Sequence, residues 1–150
     1  MRNSLALIVG IAALGCLSVT TASAQWAPRN YERGTVTLVQ QYDVKPGQLN
    51  AFLQDWAADV RPFLEAGKSE GRILNYGVEQ PIDPRPGEPN LALVIVFRDL
   101  AAYDRPLADF EKYNAAHYGS LARARDAGLK RESEASYKGS LLMRGLEVGK

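Results

Sequence analysis

The chain has 150 residues, and 18 Lys and Arg against 17 Asp and Glu give it a formal net charge of +1. This balance excludes the broadly basic surface that nucleic acids attract, because phosphate binding relies on clustered Lys and Arg. With one cysteine and one histidine, the chain has no internal disulfide and too few ligands for an ordinary zinc site. We therefore expect no nucleic-acid partner, no metal and no cofactor.

The first 24 residues have the pattern of a secretory signal peptide. Arg2 gives a positive start, residues 5–17 form an apolar run, and Ala22-Ser23-Ala24 is a small-x-small cleavage site. The run is shorter than the about 20 residues that a membrane-spanning helix needs. The pattern predicts export to the periplasm or beyond, with cleavage after Ala24 and no membrane contact afterwards.

Two alternatives to a cleaved signal peptide stay open at this point. An uncleaved segment would anchor the chain in the membrane. Leu14-Gly15-Cys16 also resembles the end of a lipobox, whose cysteine carries lipid, although Ala13 stands where leucine is usual and apolar residues continue beyond the cysteine.

The single folded domain is predicted to span residues 35–150, after a polar, proline-containing flexible arm at 25–34. Residues 35–44 alternate between apolar and semi-polar side chains, as a strand does when one face lies on a core. A helix with apolar residues three and four apart follows, and Pro62 is expected to interrupt it. Residues 72–79 then predict a strand at a sheet edge.

The second half repeats the order of strand, helix and strand. Residues 91–97 are apolar on both faces, which predicts a central strand covered on both sides. Asp99 suits the N-cap of the next helix, and Pro106 is expected to divide a short helix from a longer one ending near Gly128. After a charged and polar segment, residues 140–148 predict the last strand.

This order, β-α-β-β-α-β, predicts an α+β domain of the ferredoxin-like kind, with an antiparallel sheet and helices on one face only. The other face of such a sheet needs a cover. We therefore predict that the chain partners itself, as a homodimer built on that face.

Two stretches resemble the dimeric α/β-barrel superfamily. One is the strand end and turn at 42–47, Tyr-Asp-Val-Lys-Pro-Gly, and the other is the apolar strand and helix start at 93–103. The resemblance covers about residues 35–148. It implies that two sheets pack face to face to close a barrel. Members include cofactor-free monooxygenases, haem-handling enzymes, lactone isomerases and proteins without known activity, so the resemblance leaves function open.

Several side chains are candidates for a ligand pocket. Cofactor-free oxygenases of the resembled superfamily use aromatic, amide and Arg groups to hold a polyphenolic substrate and stabilise its anion. His117 is the only histidine, a residue type that suits a general base or a haem ligand, but a partly buried packing role is the favoured alternative. The candidates are Trp56, Tyr76, Arg98 and His117, with Asn75 as the amide.

Each of the other candidates also has a structural interpretation. Trp56 lies within the apolar stripe of its helix, and Arg98 ends its strand where its charge reaches water. The phenols Tyr103, Tyr113 and Tyr118 make the second helical region aromatic, which suits a pocket lining or a subunit contact.

Three functions are compatible with these sequence features. The favoured one is an exported homodimer that is non-catalytic or binds a small apolar or aromatic ligand. The first alternative is a cofactor-free monooxygenase or isomerase acting on a small aromatic or polyketide-like substrate, and the second is a haem-binding protein using His117. Convergence of Trp56, Tyr76, Arg98 and His117 on one concave pocket would favour an enzyme, and scattered positions would favour the first function.

Overall fold

A computed structural model describes residues 30–149. The predicted signal peptide at 1–24, the lipidation alternative at Cys16 and the arm before Asn30 lie outside the described residues. The elements in chain order are β1 (Tyr31–Val44), α1 (Leu49–Asp59), α2 (Arg61–Ser69), β2 (Ile73–Glu79), β3 (Leu91–Phe97), α3 (Leu100–Tyr103), α4 (Leu107–Tyr118), α5 (Leu121–Glu134) and β4 (Ala135–Val148).

The four strands form one sheet in the order β2-β3-β1-β4. Every neighbouring pair is antiparallel. With α1 and α2 as the first helical connection and α3 to α5 as the second, this is the β-α-β-β-α-β topology of a ferredoxin-like α+β domain. The predicted fold class is confirmed, as are the central position of β3 and the edge position of β2.

The core lies between the sheet and the helices. On β3 every second residue is buried and the residues between them are half-buried, because successive side chains point to opposite faces. The buried set packs against Leu64 of α2 and Ala102 of α3. The β3 residues of this set are Leu93, Ile95 and Phe97, whereas Leu91 packs in a second cluster with Val44, Phe52 and Ala135.

Proline and glycine set the limits of the first helices. The helix predicted after β1 is interrupted as expected: α1 ends at Asp59, and Pro62 stands in the first turn of α2, where a missing N–H costs little. Gly71, with φ of +68°, follows α2, and Arg72 N donates to Gly67 O at 3.0 Å. This left-handed glycine turns the chain directly into β2.

Asp99 caps α3, as predicted from sequence. Its carboxylate accepts a hydrogen bond from Ala102 N at 2.8 Å. The helix is one turn long, and Pro106 stands immediately before α4, so the expected division into a short and a longer piece is confirmed.

The predicted helix end near Gly128 is wrong. Gly119 adopts φ of +78° and ends α4, and Ser120 then caps α5 by accepting a hydrogen bond from Arg123 N. Gly128 lies inside α5, where a helix tolerates glycine at a cost of about 1 kcal/mol. A positive φ and a capping hydroxyl therefore decide where this helical region breaks.

Strands β1 and β4 are both longer than their sequence patterns predict. Their pairing runs from Val44 opposite Ala135 to Tyr31 opposite Val148. Residues 31–34, assigned above to the flexible arm, thus belong to β1, and β4 begins at Ala135 rather than at 140. Backbone pairing between two long neighbours overrides the polar composition around residue 136.

Within residues 30–149, none of the helices is long and apolar enough to cross a membrane.

Candidate functional site

A cavity of about 630 Å³ lies between the sheet and the helices. Its floor is formed by the helix-facing residues of the two central strands, among them Leu38, Gln40, Leu93 and Ile95. Ten aromatic side chains line it: Tyr42, Phe52, Trp56, Phe63, Phe97, Tyr103, Phe110, Tyr113, Tyr118 and Tyr137.

The cavity is present because α4 does not pack closely against the sheet. None of the residues of α4 is buried. Leu107 and Phe110 both line the cavity, yet they stay 69% and 47% exposed. A pair of helices that packed closely would have used these side chains to fill the space.

Ring contacts stiffen the cavity at two places. At the sheet, Tyr42 contacts Phe52 of α1 and Tyr137 of β4, with ring centroids 5.4 and 5.6 Å apart. At α4, Tyr113 meets Phe63 edge to face at 4.9 Å. Aromatic pairs in such tilted geometries attract each other beyond their apolar contact alone.

One ion pair belongs to the cavity wall. Arg131 Nη1 of α5 donates to Asp59 Oδ2 of α1 at 2.5 Å, and both residues line the cavity. The pair neutralises both charges beside a mainly apolar space.

Three hydrogen-bond donors of the cavity lining have no partner in the described structure. They are Trp56 Nε1, Arg72 Nη2 and Tyr113 OH, each buried. A buried donor without a partner costs about 1–3 kcal/mol, so each of the three groups is stabilised by an acceptor atom that comes within hydrogen-bond distance of it. Glu134 Oε2 is also buried without a partner, but it is an acceptor and its residue lies outside the lining.

Two phenols of the site, Tyr113 and Tyr42, have raised pKa values. Burial raises the pKa of Tyr113 above its usual value, and Tyr118 raises it further. Burial and then Tyr137 also raise the pKa of Tyr42, while Arg131 acts in the opposite direction. At neutral pH these hydroxyls therefore keep a proton to donate.

The structure does not bring the four sequence-predicted candidates together. Trp56 lines the cavity. Tyr76 has its ring centroid 6.0 Å from that of Trp56, but its hydroxyl donates to Glu65 and the residue is not part of the lining. Asn75 pairs with Val96 of β3, on the sheet face away from the helices.

Arg98 and His117 are both exposed and outside the cavity lining. Arg98 Nε pairs with Asp99 Oδ2 at 3.1 Å at the surface, which agrees with the expectation that its charge reaches water. His117 stacks on Tyr113 with centroids 5.8 Å apart and an interplanar angle of 10°. It is thus a surface ring covering Tyr113 and not the partly buried residue expected from its place in the helical stripe.

Other lining residues were suggested only in part by the sequence. The phenols Tyr103, Tyr113 and Tyr118 do line the cavity. Arg72 and Arg105 had no sequence signal, because each stands in a connection just before an element and its place in the lining depends on how α4 lies over the sheet. Within residues 30–149 no group of three or more His, Cys, Asp and Glu residues is placed to hold a metal ion.

No family model matches the chain, and no curated protein is significantly similar to it. Among solved structures, a dimeric ferredoxin-like protein from an uncultured marine organism is 11% identical, with a TM-score of 0.48 over 79% of this chain and 91% of that one. A second dimeric ferredoxin-like protein from such an organism is 15% identical, with a TM-score of 0.46 over 79% and 99%.

A proposed antibiotic biosynthesis monooxygenase from Chloroflexus aurantiacus is also similar. It is 16% identical, with a TM-score of 0.40 over 74% of this chain and 92% of that one. Because all three TM-scores lie below 0.5, the ferredoxin-like assignment rests on the chain's own strand order and pairing.

Proposed function

We propose that the protein is an exported homodimer that binds a small, flat, mainly aromatic ligand between its sheet and its helices. The observation that carries this proposal is the cavity of about 630 Å³ lined by ten aromatic side chains. Ligand pockets of proteins span about 300–1,000 Å³ and are mainly apolar, with a few polar groups that orient the ligand.

The placement of the candidate residues supports binding rather than catalysis. Tyr76, Arg98 and His117 lie outside the lining, so no general base stands beside Trp56 among the candidates. Asp59 is held by Arg131, and the other two carboxylates of the lining, Asp104 and Glu132, are exposed. The buried polar groups left without a partner are the donors Trp56 Nε1, Arg72 Nη2 and Tyr113 OH, which suit orientation and recognition.

The homodimer is supported by the sheet face away from the helices. Residues directly opposite in antiparallel strands share a face, so Val39 lies beside Val94 and Leu141 on this side. Thr37 lies beside Val96 and Met143 in the same way. The result is an apolar patch across β3, β1 and β4. We refer to Val39, Val94, Val96, Leu141 and Met143 as the open-face patch.

Such a patch on a central sheet is typical of an interaction surface, because soluble monomers seldom expose a large contiguous apolar area. A second copy supplies the same patch, so a two-fold contact is self-complementary. Dimerisation on this face leaves the cavity on the opposite face accessible.

Ligand binding is tested with N-phenyl-1-naphthylamine, a neutral fluorophore whose emission rises in apolar surroundings. Wild type should show saturable binding of one probe per chain. Leu38→Trp places a large ring on the cavity floor and should weaken binding at least about tenfold, equivalent to 1.4 kcal/mol. Leu74→Trp is the control, because Leu74 lies on β2, is 49% exposed and is not part of the lining.

Two results would contradict the binding proposal. One is the absence of saturable binding to folded wild-type protein. The other is equal binding by Leu38→Trp and Leu74→Trp, which would locate the probe outside the cavity.

Export is tested separately, since it depends on the sequence pattern at residues 1–24. Protein recovered from the periplasm of a bacterial host should begin at Gln25 on N-terminal sequencing. A chain that begins with lipid-modified Cys16, or that keeps its first residues in the membrane fraction, would contradict cleavage after Ala24.

A further inference from the structure

We infer that the ligand of this cavity is an aromatic carboxylic acid, and that its carboxylate lies where Arg72, Arg105 and Tyr113 meet. The inference rests on the proposed ligand-binding function and specifies the chemistry of its ligand.

The position of the carboxylate follows from two adjoining spaces. A smaller cleft of about 280 Å³ neighbours the main cavity. Four residues line both of them: Phe63, Arg72, Arg105 and Tyr113. This shared end therefore combines two guanidinium groups with one phenol and one apolar ring, whereas the rest of the cavity is dominated by aromatic and aliphatic side chains.

The hydrogen-bond donors of the cavity lining that lack a partner require acceptor atoms. Trp56 Nε1, Arg72 Nη2 and Tyr113 OH are buried without partners, and two of the three belong to the shared end. An indole N–H and a guanidinium N–H can only donate. A ligand that presents a carboxylate meets this demand, and its bonds to a guanidinium are charge-assisted.

Arg72 is restrained in a way that suits this role. Its Nε is bound by Glu70 Oε2 at 2.5 Å, and its side chain is 16% exposed. The carboxylate of Glu70 thus fixes the guanidinium while Nη2 stays buried and unpartnered. A preformed donor of this kind loses little conformational freedom when a ligand binds.

The charge balance at the shared end favours an anion. Arg72, Arg105 and Lys112 line the smaller cleft together with Glu70 and Asp109, which leaves one positive charge in excess. Glu70 is paired with Arg72, and Asp109 lies 3.5 Å from Arg105 Nη2. Asp104 and Glu132 of the main cavity and Lys112 of the cleft are all exposed, so water screens these three charges, whereas Arg72 and Arg105 are half-buried.

The walls explain why the rest of the ligand is aromatic. Phe63 is contacted edge to face by Phe110 at 5.8 Å and by Tyr113 at 4.9 Å. These rings continue from the shared end towards the sheet through Trp56 and Phe97. A flat ring system attached to the carboxylate fits between them, since aromatic faces and edges attract one another.

The test compares two probes of the same shape and different charge. Naphthalene-2-carboxylate and the neutral naphthalene-2-carboxamide are titrated by calorimetry into full-length protein at pH 7.5. Wild type should bind the carboxylate at least about tenfold more tightly. Arg72→Gln should remove this preference and leave amide binding nearly unchanged. Arg85→Gln is the control, because the Arg85 side chain is 87% exposed in a loop outside both spaces.

The outcomes separate this inference from the function on which it rests. If neither probe binds folded wild type, the ligand-binding function itself fails. If both bind equally well, that function stands and the carboxylate inference is overturned. A carboxylate preference that survives in folded Arg72→Gln also overturns it. Should Arg72→Gln not fold by circular dichroism, Arg105→Gln decides, since an unchanged preference there overturns the inference.

Discussion

Asp59 of α1 and Arg131 of α5 form an ion pair across 72 positions of sequence, with 2.5 Å between Oδ2 and Nη1. Each side chain is 22% exposed. The pair connects the first helix of the domain to the last one and closes one wall of the cavity. A neighbouring pair, Lys130 with Asp55, lies further out, with the lysine 62% exposed.

Asp59→Asn should reduce the free energy of unfolding by about 1–3 kcal/mol, because it leaves the partly buried charge of Arg131 without its counter-ion. Urea unfolding followed by circular dichroism measures the change. Asp55→Asn is the matched control on the same helix. Asp55 is 20% exposed, close to Asp59, but its partner Lys130 is 62% exposed, so solvent screens that charge and the loss should be smaller. Equal losses from both substitutions would contradict a special role for the inner pair.

Gly67 marks the closest approach of α2 to β2. A Cβ at this position would lie 2.6 Å from Ile73 Cδ1, in a core where Ile73 is 2% exposed. Gly67→Ala should therefore destabilise the fold by about 1–3 kcal/mol through overpacking. Gly128→Ala is the control within α5, where a Cβ meets nothing within 4 Å, and it should stabilise by about 0.5–1 kcal/mol. Thermal unfolding of both variants should show opposite shifts; shifts of the same sign would refute the overpacking at Gly67.

The open-face patch predicts how single charges affect assembly. Met143 and Leu142 are neighbours on β4 with equal exposure of 47%, but they point to opposite faces of the sheet. Met143→Glu should convert the homodimer to a monomer at micromolar concentration in light scattering. Leu142→Glu should remain dimeric. A wild-type protein that scatters as a monomer would contradict the dimer directly.

Asp99 predicts a pH dependence of stability. The N–H of Ala102, and then Arg98, lowers the pKa of this carboxyl below its usual value. The stabilisation of the fold by the ionised Asp99 carboxylate is therefore fully present above the unfolded-state pKa of about 3.9. It is lost as pH falls through the folded-state pKa. Asp99→Asn keeps the cap but not the charge, so wild type should melt higher at pH 7. The difference in melting temperature between wild type and Asp99→Asn should disappear below about pH 4. A difference that persists unchanged at lower pH would exclude the carboxylate as its source.

His117 provides a test of the haem hypothesis. Because the His117 ring is exposed and its ring contacts are with Tyr113 and Tyr118 of its own helix, His117→Ala should change stability by no more than about 0.5 kcal/mol. Mixing with haemin should give the same visible spectrum for wild type and variant. A sharp Soret band in wild type that the variant lacks would make haem binding the better hypothesis.

The architecture could be predicted from the sequence alone, because the relevant signals are local. The alternation of residues 36–44, the two-sided apolar run at 91–97, Pro62 in a first turn and Asp99 as a cap each act within a few residues. Together they determine the β-α-β-β-α-β order, and that order leaves one sheet face without helices. The signal-peptide pattern is of the same local kind and predicts export without reference to the fold.

The site was decided by tertiary structure. Whether Trp56, Tyr76, Arg98 and His117 meet depends on the distance and angle of α4 above the sheet, and no spacing within the chain encodes these. Because α4 lies away from the sheet, a cavity is present between them, and Arg72 and Tyr113 lie at the edge of this cavity. The same separation leaves His117 on the surface. Local propensity determines which helices and strands form. The packing of elements far apart in sequence determines which side chains line the same cavity.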